Sequence, residues 1–114
     1  MNNCLFCKII NGEIPVKKVY ENEHILAFRD IDPKAPVHIL VIPKKHIRSV
    51  NELKSSDKHL AGELILTAKK IAKDEGIDSK GFRTIFNTND DGGQTVYHIH
   101  MHIMGGRQMQ WPPG

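Results

Sequence analysis

The sequence predicts a single small α+β domain in which one long helix packs with an antiparallel sheet. The chain has 114 residues, the size of one domain with a limited core. Only residues 56–75 show a sustained helical spacing of apolar side chains, whereas short apolar runs on both sides of this segment indicate strands. Because these strands have hairpin-length connections, we expect one antiparallel sheet. No repeat or linker divides residues 1–114.

The N-terminal half is predicted to contain one short helix and three strands. Asn11 and Gly12 end the helix, and Pro43 stops the third strand. Residues 21–23 form the turn between the first two strands, and residues 32–36 form a loop before the third. The helix is expected at residues 4–10 and the strands at residues 16–20, 25–29 and 38–42.

The long helix and two further strands make up the C-terminal half. The helix should begin at an N-cap among residues 55–57 and end before Gly76. A strand is predicted at residues 82–87, a turn at residues 89–93 and a last strand at residues 96–104. The apolar face of the helix is expected to consist of Leu60, Leu64, Ala68 and Ile71.

The last strand carries three histidines that alternate with apolar residues. Successive side chains on a strand point to opposite faces, so His98, His100 and His102 are expected to share one face. Neighbouring imidazoles would stand about 6.5 Å apart, close enough to surround one small charged group. Since the charge of histidine changes near neutral pH, this row of side chains indicates chemistry.

Composition limits the classes of function. Charged residues make up 25% and hydrophobic residues 39% of the chain, as in a soluble globular protein. The net charge of +3 is too small and too dispersed for a nucleic-acid groove. No apolar run reaches transmembrane length, and the first residues lack the basic and apolar regions of a signal peptide. We therefore expect a cytoplasmic protein that binds neither nucleic acid nor membrane.

The three histidines by themselves permit two chemistries. Imidazoles on a strand can hold a catalytic zinc ion, or one of them can attack phosphorus and form a phosphoramidate intermediate. Residues 92–95 favour the phosphorus chemistry, because their glycine-rich backbone and a hydroxyl offer hydrogen-bond donors to an anion. An ordinary hairpin turn explains the same glycines, and their spacing does not choose between the two.

Cys4 and Cys7 form a second cluster, three positions apart on one side of the first helical turn. Two cysteines this close are poor disulfide partners in a reducing compartment. They can be two small buried hydrophobic residues, a redox pair or half of a zinc site. The spacing alone leaves these three interpretations open.

Residues 98–104 match the signature of the histidine triad family, His-φ-His-φ-His-φ-φ, where φ is an apolar residue. Residues 105–114 resemble the C-terminal tail of the purine nucleoside phosphoramidase branch of this family. Further segments, spread over essentially the whole chain, resemble the histidine triad nucleotide-binding proteins. These segments are residues 8–10, 13–15, 27–31, 35–38, 41–47 and 92–97.

The resemblance implies a fold and a reaction. Family members are homodimers whose two five-stranded sheets join into one, and each subunit has its own site. They hydrolyse the P–N bond of adenosine or guanosine 5′-phosphoramidates to AMP or GMP and an amine, without a catalytic cofactor. By similarity, His100 attacks the α-phosphorus and carries a nucleotidylated intermediate. His102 would contact a phosphate oxygen, His38 would support the triad from the adjacent strand, and His98 would complete it.

The resemblance also implies a purine nucleotide site. Asp30 is expected to accept hydrogen bonds from the ribose hydroxyls. Trp111 lies in a tail that, in this branch, reaches across the dimer towards the partner's site. The other nucleotide-binding residues implied by the family are Phe6, Ile9, Phe28, Ile31, Asn87, Gly93, Gln94, Thr95, His100 and His102.

Some family members with an N-terminal cysteine pair bind a structural zinc ion. In this sequence the matching ligands are Cys4, Cys7, His46 and His98, which make a closed Cys₂His₂ set. In that case His98 is a ligand that orients the strand and takes no part in catalysis.

Other functions remain open at this point. The chain can be a regulatory module that holds AMP or GMP without turnover, or a metal-dependent hydrolase that uses the three histidines as ligands. It can also be a dinucleoside polyphosphate hydrolase, although the resemblance of the tail argues against this. No motif identifies the amine leaving group or a preference between adenine and guanine.

Overall fold

The sheet has five strands: β1 (Lys18–Glu21), β2 (Ile25–Arg29), β3 (Val37–Pro43), β4 (Phe82–Phe86) and β5 (Met101–Gly105). Their order is β1-β2-β3-β5-β4, and every neighbouring pair is antiparallel. The structure is a computed structural model that describes residues 3–114, so Met1 and Asn2 of the expected domain lie outside it. The predicted α+β class with a five-stranded antiparallel sheet is confirmed.

Three helices accompany the sheet in the described part of the chain: α1 (Leu5–Ile10), α2 (Lys58–Asp74) and the single turn α3 (Asn89–Gly92). Short 3₁₀ turns at Val50–Glu52 and Ser55–Asp57 precede α2. Asp57 is the N-cap residue of α2, within the predicted range, and Gly76 follows its end with a φ of 74°. Within residues 3–114, no helix is both long and apolar enough to cross a membrane.

The sheet is covered on both faces by apolar side chains. On one face, alternate residues of β2, β3 and β5 pack against Leu64, Ala68 and Ile71 of α2. On the other face, the intervening residues of β2 and β3 pack against Phe6 and Ile9 of α1. This double burial explains why β2 and β3 read as continuous apolar runs instead of alternating ones.

Several boundaries differ from the sequence prediction, most of them by one or two residues, and three differences have a clear structural cause. The strand expected from residue 16 begins at Lys18, because Val16 packs with the α1 cluster. Residues 89–92 form a helical turn, and Gly93 ends it in the left-handed conformation with a φ of 79°. The last strand begins at Met101 instead of residue 96, because the N–H of Ile99 donates to a loop carbonyl, that of Ile47. His98 and His100 therefore precede the regular strand.

Candidate active site and metal centre

A cavity of about 280 Å³ opens on the α1 face of the sheet, next to the segment that carries the histidines. Leu40 of β3 lines it and lies two positions after His38, so strand alternation could have identified this residue. Residues 14–16 also line the cavity; residues 14 and 15 lie in a segment that resembles the family, but the sequence did not assign these residues to the site. The predicted nucleotide-binding residues found in its wall are Phe6, Ile9, Phe28, Asp30, Ile31, Thr95, His100 and His102.

The imidazole of His100 has a defined tautomer. Its Nδ1 atom lies 2.8 Å from the carbonyl oxygen of His98, so Nδ1 carries the proton and donates. The lone pair therefore resides on Nε2. The carbonyl that accepts this hydrogen bond belongs to His98, two residues earlier in the chain. A carbonyl on a neighbouring strand could have filled the same role, so the sequence did not identify the acceptor. Burial lowers the pKa of His100, which keeps the ring neutral near pH 7.

His38 and His102 form a hydrogen-bonded pair with a fixed direction. The backbone N–H of Lys34 donates to Nδ1 of His38 at 3.0 Å, so the proton of the neutral His38 ring must be on Nε2. This Nε2–H donates to Nδ1 of His102 at 2.9 Å. The proton of His102 is consequently on its own Nε2, as a donor in the cavity wall.

Both rings of this pair are neutral at physiological pH. Burial, with smaller contributions from neighbouring His100 and His38, lowers the pKa of His102 to about 4. Burial also lowers the pKa of His38, against the opposing effect of Asp30, whose Oδ2 lies 3.5 Å from His38 Nε2. The pair can therefore supply a neutral hydrogen-bond donor to an anion without holding a positive charge.

The loop before the histidines uses most of its donors internally. The amide of Gly93 donates to Asp90, and the amide of Gln94 donates to Asn89, which closes α3. The buried side chain of Gln94 accepts from the N–H of Asn89 and donates to the carbonyls of Val96 and Arg48, so it ties this loop to the segment after β3. Of the predicted anion-binding loop, Thr95 lines the cavity.

Asn87 and Trp111 do not lie in the wall of this cavity within the same chain. Asn87 is half-buried beside the backbone of Gly92. Trp111 is 81% exposed, and the tail before it is held by Arg83 of β4, which donates to the carbonyl of Gln110 at 2.9 Å. The tail thus lies beside the edge strand β4, and its predicted reach into a partner's site stays a prediction.

The ring of His98 faces away from the other two histidines of the run. Its Nδ1 atom lies 3.4 Å from Cys4 Sγ, 3.7 Å from Cys7 Sγ and 3.1 Å from His46 Nδ1. Its Nε2 donates to the carbonyl of Pro43 at 2.8 Å. The predicted common face thus holds two histidines beside the cavity, whereas the third joins the N-terminal cysteines.

These four residues fit a tetrahedral zinc ion. With Zn–S near 2.3 Å and Zn–N near 2.0–2.1 Å, tetrahedral edges are about 3.5 Å between S and N and about 3.3 Å between two N atoms. The S–N distances here are 3.4, 3.5 and 3.7 Å, and the N–N distance is 3.1 Å. The bond from His98 to Pro43 leaves the lone pair of Nδ1 for the metal, as in known zinc-bound histidines.

A second group of potential ligands, Asp30, His38 and His102, converges beside the cavity. A metal there would have to bind Nε2 of His38. The N–H of Lys34 already occupies the other ring nitrogen, so Nε2 holds a proton instead of a free lone pair. This group is therefore a hydrogen-bonded relay. In the described part of the chain these two groups are the ones whose ligand atoms converge, and neither contains His100.

The sheet order, the histidine run and the cavity beside it together define a histidine triad domain. The chain belongs to the HIT family, whose domain model matches residues 11–109. The match begins after Cys4 and Cys7, so half of the candidate metal centre precedes it. This confirms the resemblance that the histidine motif indicates.

The chain is similar along almost its whole length to other family members. An uncharacterized HIT-like protein of Synechococcus elongatus is 54% identical over 110 residues, 96% of each chain. A 14 kDa zinc-binding protein of Brassica juncea is 52% identical over 112 residues, 96% of this chain and 98% of that one.

Solved structures of relatives share the fold. A HIT family hydrolase from Legionella pneumophila superimposes with a TM-score of 0.97 at 56% identity, covering 98% of this chain and 100% of that one. A histidine triad protein from Clostridium difficile gives a TM-score of 0.93 at 46% identity, covering 96% of each chain. This chain therefore has the same fold as these members of the family.

Proposed function

We propose that this protein hydrolyses the P–N bond of purine nucleoside 5′-phosphoramidates, releasing AMP or GMP and an amine. The observation that carries the proposal is the 2.8 Å bond from His100 Nδ1 to the His98 carbonyl, which leaves the Nε2 lone pair for a nucleophilic attack. The Legionella relative is named a HIT family hydrolase, which supports hydrolytic chemistry for this chain. No cofactor is required for either step of this reaction.

The reaction proceeds in two displacements at the α-phosphorus. In the first, Nε2 of His100 bonds to phosphorus, the P–N bond breaks, and the leaving nitrogen takes a proton from solvent. In the second, water attacks phosphorus, the bond to His100 breaks, AMP or GMP leaves, and the proton of water returns to solvent. The sum is hydrolysis, and His100 ends in its initial tautomer.

Neighbouring groups stabilise the charge that develops on the phosphate oxygens. The Nε2–H of His102 is a directed donor, because the relay through His38 holds its proton there. Thr95 offers a hydroxyl in the same cavity wall. One such donor is typically worth a factor of about 10² in rate. Asp30 would accept from the ribose hydroxyls, and the apolar walls would take either purine base.

We also propose that Cys4, Cys7, His46 and His98 hold a structural zinc ion. The Brassica relative is named a zinc-binding protein, which supports this assignment. When bound, zinc would supply a cross-link between α1, the loop after β3 and the segment before β5. Under this proposal His98 acts as a ligand, and the catalytic histidines are His100, His102 and His38.

A homodimer is the proposed assembly. Strand β4 lies at an edge of the sheet, where its outer backbone groups can pair with a second strand. Exposed apolar side chains lie on or near this edge, at Leu66 of α2, Phe86 of β4 and Trp111 of the tail. Joining two copies at β4 would cover these side chains.

The proposal is tested with adenosine 5′-phosphoramidate carrying a fluorescent amine. The wild-type protein is expected to turn over, and His100→Ala is expected to fall to background, because the variant has no nucleophile. His24→Ala removes an exposed turn histidine and serves as the matched control. Quenching into base and mass spectrometry should detect an AMP adduct on the peptide that contains His100.

Two results would contradict the proposal. Turnover by His100→Ala, without any adduct in the wild-type protein, would indicate direct attack by water. AMP binding by a folded wild-type protein that shows no turnover would favour the regulatory module.

A further inference from the structure

We infer that the centre formed by Cys4, Cys7, His46 and His98 positions the nucleophile, so that zinc loading controls the chemical step as well as stability. The inference rests on the proposed role of His100. It assigns a regulatory property to that site. The rate of phosphoryl transfer should depend on whether the four ligands, which do not include His100, hold a metal ion.

The nucleophile lies outside the regular sheet. Pairing between β3 and β5 begins with Val41 and Met101, one residue after His100. The segment before Met101 has one backbone bond to its neighbour, from the N–H of Ile99 to the carbonyl of Ile47 at 2.7 Å. The sheet ladder therefore does not hold His100, and another restraint must keep its ring in place.

His98 connects the metal centre to the nucleophile. Its ring lies among the other three ligands, and its carbonyl accepts the Nδ1–H of His100 at 2.8 Å. Ring and carbonyl belong to the same residue, so a metal ion that holds the ring, together with the bond to Pro43, limits the backbone movement that would displace the carbonyl. A shift of about 1 Å would break this bond and release the tautomer of His100.

Phe6 makes a second connection. It lies between the two cysteine ligands in the chain, and its ring packs edge-on against both His98 and His100, with centroid distances of 5.9 and 5.1 Å. Binding of Cys4 and Cys7 to a common ion would fix the turn that carries Phe6. The metal centre therefore restrains His100 through a packed ring as well as through the backbone.

The groups expected to bind the nucleoside are mostly independent of this centre. Asp30 follows β2, and Phe28 lies within it, so neither is carried by a segment that holds one of the four ligands, although Phe28 does contact Phe6. Loss of metal should therefore lower kcat much more than it weakens AMP binding. A purely structural role would instead lower activity only in proportion to the folded fraction.

The test compares zinc-loaded protein with protein stripped by a chelator, at a temperature where both are folded. We expect zinc removal to lower kcat by about tenfold or more, since a 1 Å misplacement of a reacting group has effects of this size. The Kd for AMP should change by less than about threefold. Nitrogen NMR of the imidazoles should show His100 only as the Nδ1–H tautomer in the zinc-loaded protein, and as a mixture of the Nδ1–H and Nε2–H tautomers after zinc is removed.

Two variants keep the test decisive. Leu64→Ala leaves a cavity in the core on the α2 face, on the opposite side of the sheet from both sites, so the variant loses stability while its kcat per folded molecule and its His100 tautomer should stay at wild-type values. His46→Asn removes the exposed ligand and leaves three others, which allows zinc to be titrated if the stripped protein unfolds. Its kcat should rise with zinc occupancy.

An unchanged tautomer and kcat in folded, zinc-free protein would overturn the inference, as would an equal loss of kcat in Leu64→Ala. Absence of turnover by the zinc-loaded wild-type protein would instead reject the proposed function. In that case the tautomer of His100 still decides the inference, because its measurement needs no substrate.

Discussion

The Nε2 atom of His38 lies 2.9 Å from the Nδ1 atom of His102, and the backbone N–H of Lys34 gives this contact its direction. A backbone N–H can only donate, so it determines which nitrogen of His38 is protonated. That choice passes to His102, whose remaining proton is available at the cavity wall. A main-chain group thus sets the state of a proposed catalytic donor two side chains away.

His38→Ala should lower kcat by about 10², whereas His38→Gln should retain most of it. The side-chain amide of glutamine can place an N–H close to the position of Nε2 and still donate to His102. Alanine leaves Nδ1 of His102 without a donor, so its proton is no longer confined to Nε2. Steady-state kinetics of the two variants checks this, and equal activities would contradict the relay.

Acid should destabilise the folded protein. The pKa of His102 is lowered to about 4 and that of His38 is lowered as well, whereas an unfolded histidine titrates near 6.5. Between about pH 6.5 and 4 the unfolded chain binds more protons, so the free energy of unfolding should fall as the pH is lowered through this range. Urea denaturation at pH 7 and pH 5, with saturating zinc, measures the effect.

His102→Asn isolates the contribution of this one ring. Asparagine does not titrate, so the variant should lose part of the stability difference between pH 7 and pH 5. An undiminished difference would show that other groups cause it.

Asp30→Asn should weaken AMP binding by about tenfold, since a hydrogen bond to a charged group contributes roughly 1.5–3 kcal/mol. The carboxylate is already oriented, because its Oδ1 accepts the N–H of Asp32 at 2.8 Å. Calorimetry with AMP and with its 2′,3′-dideoxy analogue tests the assigned partner. The wild-type protein should prefer AMP and the variant should lose that preference, whereas a preference that persists would assign the ribose to another group.

Leu66→Glu should weaken the proposed dimer. Leu66 is 65% exposed on α2 and borders the same surface as Phe82 of β4. A buried carboxylate at an interface costs several kcal/mol unless it is paired. Sedimentation velocity should show a shift towards monomer. Val50→Glu, which places the same charge at another exposed apolar residue, is the control. A wild-type protein that is monomeric at micromolar concentration would reject the dimer.

Local patterns were sufficient for most of the fold. The apolar run at residues 25–29 became β2 with the predicted bounds, and the spacing of Leu64, Ala68 and Ile71 identified the buried face of α2. In such segments the spacing of the apolar residues is enough to predict the type of secondary structure and the buried face. The predicted start of β1 was wrong. Val16 is apolar because it packs with α1, and this apolar residue extended the apparent strand pattern by two positions.

The histidine run shows which features a local sequence pattern cannot predict. Alternation correctly places Met101 and Ile103 in the α2 core and His102 on the opposite side of β5, beside the cavity. It does not reveal that the ring of His98 turns to Cys4, Cys7 and His46. Residues more than fifty positions apart meet there, and only the family resemblance suggested that set.

The sequence by itself determined the α+β class, the presence of five strands and the buried face of α2, whereas the family resemblance supplied the candidate nucleophile and the four candidate metal ligands. The tertiary structure decided where each proton lies, because the deciding partners are the Lys34 amide and the carbonyls of His98 and Pro43. Every residue but proline has both groups, so no side-chain pattern can show which amide or carbonyl meets an imidazole. The fold alone brings these backbone groups within hydrogen-bond distance and so separates a proposed nucleophile, a proposed donor and a proposed metal ligand among chemically identical rings.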